Sequence, residues 1–361
     1  MSLRCSYFKF WLAFGLLFSS LNAKAEDNYS YTYECQILNY EGALLRKFPG
    51  SHCIYLDDGR VISSTQSHIF MLSPEAKILW EKKLNAHHTI RMLDSTHFIF
   101  LQSSFHEFRN ERTRFDRISI FDLEGNETKY FDFFDHREEL ASRHSTSYFG
   151  NTYISLVRPR EGASESEKTS FLPTLHEFSH ANSVYEIPKN QISKKIKALE
   201  KGNFLVTVNG LCILFILSQD FKKILWSIPF EALSKGHSIH DVQLDREAKS
   251  ILYYDNEYAE KSSAILKYDP VLKTKKMIFE GNKDINFYAD SQGGVQELEK
   301  DQYLISEFKK GVGGRIFIVS KDRSISWSLK PTKEGLTGLP LDGMQEAKRQ
   351  DLTLFLKNNK P

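Results

Sequence analysis

The chain has 361 residues, with 48 lysines and arginines against 46 aspartates and glutamates, and 13% of its residues are aromatic. A balance this even gives no general field that would draw in nucleic acid or an anionic membrane, so only a local patch could serve either partner.

The first residues read as a secretory leader. Arg4 and Lys9 give a positive start, Phe10 to Leu21 is an apolar run too short to span a bilayer, and Ala23-Lys24-Ala25 is an A-x-A cleavage site. Cleavage after Ala25 is expected, leaving residues 26–361 as a soluble domain in the periplasm or outside the cell, with no membrane span. Cys5 precedes the apolar run and is not placed to carry a lipid. Losing Arg4, Lys9 and Lys24 leaves 45 basic against 46 acidic residues. Cys35 and Cys53 either close a disulfide, worth roughly 3 kcal/mol on a chain-entropy estimate, or stay as buried thiols. Cys212, in the apolar LCILFIL, reads as a core thiol.

Strand signals dominate the chain beyond the leader. VISSTQSHIFML, HFIFLQSS, RISIFDL, NTYISLV, NFLVTVNG, ILYYD, AILKYD, DQYLISE and RIFIVS are short and rich in β-branched and aromatic residues. Polar turns such as LDDGR, SPEAK, DLEGN and SKDRS separate them. Short helices are expected only around Gln191 to Leu199 and Met344 to Leu352.

A strand pattern with a histidine at its head recurs, as HANSVYEI from His180 and HSIHDVQLD from His237. One such unit cannot bury its own apolar face, so repetition implies a radial or stacked fold. Unit heads fall near His52, His87, about Ser145, His180, His237 and Gly293. Six units leave room in each for a four-stranded blade of about 40 to 50 residues and a loop. The expected fold is therefore all-β: a single β-propeller of six blades, with five or seven left open. The segment Tyr33 to Phe48 is expected to pair with the last blade and close the ring. Residues 161–170 read as a mobile loop over one face and 331–361 as a C-terminal extension. Trp80, Trp226 and Trp327 are placed to dock against neighbouring blades.

No phosphate-binding loop, dinucleotide fingerprint, nucleophile elbow, H-E-x-x-H or C-x-x-C motif is present. Any catalysis must then use residues of the unit heads, which a propeller brings together around its channel. Strand alternation puts His240, Val242 and Leu244 on one face and Asp241 with Gln243 on the other. A histidine at the channel mouth backed by an aspartate suits an acid, base or nucleophile, or a metal ligand. The plain alternative is a structural hydrogen-bonder. His87, His88 and His237 are further candidates, and His52 and His144 weaker ones.

HANSVYEIP, KGNFLVTVNG, KKILW, HSIHDVQLD, YYDN, SAILKYDP and the stretch from GGVQELEKDQYLISEF to SISW together resemble the bacterial arylsulfotransferase family, as does the pair His87-His88 before HFIFLQ. The resemblance covers most of His87 to Leu329. It implies a six-bladed propeller and, in active members, sulfuryl transfer from one phenol ester to another phenol through a histidine, with no nucleotide donor or other cofactor and no metal. His180 and His240 match the channel histidines that bind the sulfate, and His87 and His88 join them as candidate catalytic residues. Asn182, His237, Asp241, Asn256, Lys261 and Tyr288 are the candidate substrate-binding residues. Two positions depart from the family pattern. No arginine follows Asp255-Asn256, where Lys261 stands alone, and NFYADSQGG offers Tyr288 where a nucleophilic histidine is expected. The competing reading is a non-catalytic propeller that binds a carbohydrate, peptide or envelope protein. A quinone-dependent or metal-dependent propeller enzyme is the third.

Overall fold

The computed structural model describes residues 30–350 apart from 34, 41–42, 66, 109, 144–154, 157–175, 235–237, 260, 282–284, 290–291, 300, 310–312 and 330–346. The leader, the loop at 161–170 and His144 lie outside the described residues. No helix among those described is long and apolar enough to cross a membrane.

The strands form a β-propeller arrangement. Five contiguous segments each begin with an inner strand: His52–Tyr55, Ala86–Met92, Ala181–Glu186, Ile239–Leu244 and Gly294–Glu299. Four of these segments build regular four-stranded antiparallel sheets, each strand pairing with the next in sequence. The segment from Ala86 carries two added strands, Ser155–Leu156 and His176–Glu177, and so forms a sheet of six. One further four-stranded sheet joins the two ends of the chain: Ala347–Gln350 pairs with Ser30–Tyr33, which leads to Gln36–Leu38 and Leu44–Lys47.

This corrects the count of six contiguous units. Among the described residues five blades are continuous in sequence, and the head expected about Ser145 lies outside those residues. The strands that follow it, Ser155–Leu156 and His176–Glu177, extend the sheet of the preceding blade. The N-terminal strands likewise do not join the last blade, Gly294 to Leu329. They take Ala347–Gln350 as their inner strand, so the helix expected around Met344 to Leu352 is a strand at 347–350. The helix expected at Gln191 to Leu199 is two short 3-10 turns, Ile192–Lys194 and Lys197–Leu199.

The core lies between the sheets. Each strand alternates its side chains between its two neighbours, so both faces of a blade are apolar and the chain reads as short hydrophobic runs. One cluster packs Phe115, Ile118 and Phe131 against Val184, Val206 and Phe215, and the next packs Leu205 and Leu214 against Val242 and Tyr253. Leu252 and Tyr254 meet Val295 and Ile305 in a third. The sheet made from the chain ends is held on both sides, by Leu38 against Leu304 and Ile316, and by Ile37 and Phe48 against Val61 and Phe70.

Covalent and directional ties reinforce these seams. Cys35 and Cys53 form a disulfide between the sheet of the chain ends and the first blade. Trp80 stacks on Phe98 of the following blade and donates its indole N–H to Leu123 O at 2.8 Å. Trp327 donates likewise to Tyr40 O at 3.2 Å. Trp226 packs into the cluster shared with the blade of Tyr253. All three rings serve blade docking, because a ring at the outer strand can cover a seam while its N–H finds a carbonyl.

Candidate active site

Three successive inner strands begin with the same local device. The pairing register slips between His87 and Ile90, between Ala181 and Ser183, and between His240 and Gln243. Within or just before each slip a non-glycine residue takes the left-handed region: His88 at φ 56°, His180 at φ 52° and Asp241 at φ 41°. A bulge inserts a residue and re-aims the side chains beside it. Such conformations cost of order 1–3 kcal/mol each and persist where surrounding structure fixes them.

The bulges bring four imidazoles from three blades into contact. His88 lies at the centre, with ring centroids 5.0 Å from His87, 5.4 Å from His180 and 6.1 Å from His240. Alternation along an undistorted strand would have sent His87 and His88 to opposite faces. The left-handed turn at His88 instead leaves the two Nδ1 atoms 2.8 Å apart. His180 is set by the turn Asn209-Gly210, whose amides donate to His180 O and Ser179 O at 2.9 and 2.7 Å. A Cβ on Gly210 would stand 2.5 Å from Ser179 O, so glycine is required for this approach.

A shell of charge lies behind the imidazoles. His87 Nε2 is 3.0 Å from Asp116 Oδ1, and His180 Nδ1 is 2.9 Å from Glu177 Oε2. Arg114 links the two acids, with Nη1 2.9 Å from Glu177 Oε1 and Nη2 3.8 Å from Asp116 Oδ1. The second oxygen of Asp116 accepts from Ser179 Oγ at 2.6 Å and from Ala181 N at 2.5 Å.

These surroundings set the histidines apart. Burial depresses His87, even against the opposing pull of Asp116. Burial and the neighbouring imidazoles put His88 well below the ordinary value. Burial, with the charge of His180 adding to it, lowers His240 to about 3. His180 goes the other way: burial would depress it, but the charge and hydrogen bond of Glu177, with Asp116, outweigh that and raise its pKa. One imidazole inclined to carry a proton therefore faces neighbours inclined to stay neutral, the condition for dividing acid and base roles.

The remaining sequence candidates occupy different places. Asn182 is a buried strut: its Nδ2 donates to Ile239 O at 3.2 Å and its backbone carbonyl accepts from Thr89 Oγ1 at 3.4 Å. Asp241 does not back His240, because the bulge breaks the alternation expected there. It pairs with Arg91 at 2.6 Å and accepts from Val295 N at 2.8 Å. Asn256 is fully buried and donates to Ala289 O and Gln292 O, tying the loop before Gly294 to its blade, and its side chain also meets the His240 ring. Tyr288 is half-buried, its amide donating to Glu307 Oε1 at 2.8 Å. Lys261 is exposed at a hairpin tip between Ile251–Ala259 and Ser262–Asp269. His237 lies outside the described residues, and His52 sits in another blade beside Ser51 and Ser64.

Sequence reasoning missed Arg91, Arg114, Asp116, Glu177 and Ser179. The local spacing held a trace of them, since Arg114 and Asp116 stand two apart on one strand and Glu177 three before His180. What joins them is the parallel pairing of Thr113 and Arg114 with His176 and Glu177, a long-range contact with no local signature. Among the described residues no group of three or more His, Cys, Asp or Glu side chains is arranged to hold a metal ion.

Comparisons with known proteins bear on this site. A crystal structure of a protein of unknown function from Bacteroides caccae is similar over 89% of this chain and 98% of its own, with a TM-score of 0.52 and 11% identity. TolB from Acinetobacter baumannii is similar at a TM-score of 0.47 and 11% identity, over 90% of this chain and 67% of its own. At 11% identity the likeness to the Bacteroides caccae protein concerns the fold alone. No curated protein matches the chain. The family model of arylsulfotransferase (ASST) matches residues 153–331, which include His180, His240 and Glu177. That match supports assigning the region to the arylsulfotransferase family.

Proposed function

We propose that this protein is a secreted, arylsulfotransferase-like enzyme that moves a sulfuryl group between phenolic oxygens without a nucleotide donor. The observation that carries the reading is the convergence of His87, His88, His180 and His240 from three blades, with a protonatable His180 among neutral neighbours. The Cys35–Cys53 disulfide supports an oxidising compartment such as the periplasm.

The chemistry follows from the charges. A sulfate ester carries one negative charge, which protonated His180 would meet with a charge-assisted hydrogen bond. A neutral imidazole would attack sulfur as the S–O bond to the aryl oxygen breaks, and the departing phenolate would take the proton of His180. The acceptor phenol would then return a proton to His180 as its oxygen attacks sulfur and the S–N bond breaks. Electrons and protons balance over the cycle, and no cofactor is consumed.

The test is a transfer assay on leader-free protein with an aryl sulfate that releases a coloured phenol, with and without a phenolic acceptor. Acceptor-dependent release is expected, falling about a hundredfold or more in His180→Ala and His240→Ala while both remain folded. Unchanged turnover in both variants would refute the reading. A second reading, a non-catalytic propeller binding a carbohydrate, peptide or envelope protein, is favoured by one observation: Lys261, the cation nearest in sequence to the family's arginine position, is exposed in a hairpin turn. Absence of release across a panel of donors would make it the leading one.

A further inference from the structure

We infer that Asp116, His87 and His88 form a relay that fixes the tautomer of His88 and makes His88 Nε2 the nucleophile, replacing the histidine missing near Gly293. This rests on the sulfuryl-transfer reading for its chemistry, but its geometry stands alone. Ser179 Oγ and Ala181 N occupy Asp116 Oδ2, leaving Oδ1 directed to His87. His87 Nε2 and Asp116 Oδ1 are both buried and lie 3.0 Å from each other. Neither atom has another hydrogen-bond partner, so a proton on Nε2 is what makes this contact attractive.

That assignment propagates. With its proton on Nε2, His87 has a lone pair on Nδ1, and that atom faces His88 Nδ1 at 2.8 Å. His88 must then donate from Nδ1, which leaves its Nε2 with the lone pair. Two lone pairs or two protons facing each other would be repulsive at this distance. The rings of His180 and His240 flank His88, so an anion held by them would lie against it.

In the step itself, Nε2 of His88 forms the N–S bond while the aryl S–O bond breaks. Positive charge then spreads over the His88 ring. The Nδ1 proton shifts toward His87, whose own proton remains bonded to the Asp116 carboxylate, so no proton leaves the relay. His87 and Asp116 are positioning residues, and His88 alone touches sulfur.

Two measurements decide this separately from the function. The first is a nitrogen-15 spectrum of histidine-labelled protein, with the His88 resonances identified by their loss in His88→Gln. A protonated Nδ1 and bare Nε2 on His88 are expected, with that preference lost in Asp116→Asn. A protonated Nε2, or a tautomer unmoved by Asp116→Asn, would overturn the relay whether or not the protein turns over. The second is alkaline quench of a donor-only reaction and peptide mass analysis. A sulfuryl group on the His88 peptide is expected. The same group on His180 or His240 would overturn the assignment of His88 while leaving sulfuryl transfer intact. If no donor reacts, the transfer reading falls and with it the nucleophile. Asp116→Asn should lower kcat on the order of a hundredfold with KM little changed.

Discussion

Replacing Asp241 by alanine should destabilise the protein by about 3–5 kcal/mol. Asp241 belongs to Ile239–Leu244, yet its carboxylate reaches Arg91 of Ala86–Met92, two blades away, at 2.6 Å. The side chains are 5% and 15% exposed, so the pair is largely out of water. The same carboxylate accepts the amide of Val295, on the inner strand of a third blade. Removing one partner of a buried pair costs about 3–5 kcal/mol, because the other charge keeps its desolvation penalty. The stranded Val295 amide falls within that range rather than adding in full. Asp241→Asn keeps an acceptor for Val295 and should lose only about 1.5–3 kcal/mol. The assay is urea unfolding followed by tryptophan fluorescence, with Arg91→Met and the double variant Arg91→Met/Asp241→Ala. The double variant should be at least about 1.5 kcal/mol more stable than the sum of the singles predicts. Additivity within about 0.5 kcal/mol would refute the argument that these charges hold one another across the ring.

The disulfide and the site histidines make further testable claims. Cys35→Ser/Cys53→Ser should lose roughly 3 kcal/mol in the same urea assay, and reductant should shift the parent protein but not this variant. His240 titrates near 3 in the folded chain against 6.5 away from these surroundings, so the unfolded state binds the extra proton between those values. Its contribution is fully present above pH 6.5 and is lost as pH falls toward 3, at up to about 1.4 kcal/mol per pH unit. His180 works in the opposite sense: its raised pKa stabilises below 6.5 and that gain fades as pH rises through the folded value. Glu177 and Asp116, both held below the ordinary carboxylate range despite burial, add to the acid loss. His240→Gln should therefore flatten the stability profile between pH 6.5 and 3. A slope as steep as that of the parent would show that His240 is not buried as a neutral group.

The repeat of histidine-headed strands was sufficient to read an all-β propeller, because strand periodicity, turn residues and docking tryptophans are local signals. It also carried His180 and His240, whose placement within the repeat is visible in single strings. Blade closure was not legible: Ala347–Gln350 has no periodicity that distinguishes a strand from a helix, and only its pairing with Ser30–Tyr33 decides the matter. Nor was the segment after Phe134, where a strand of the expected next unit is drawn onto the preceding sheet by parallel pairing. At the site, sequence assigned Asp241 to His240 by alternation, and the bulge at φ 41° sent it to Arg91 instead. The joint orientation of His87 and His88 depends in the same way on one left-handed residue. Patterning determines which face is apolar, but a single inserted residue re-aims every polar group beside it. The partners those groups then meet, Asp116, Glu177 and Arg114, lie on strands that only tertiary structure brings together.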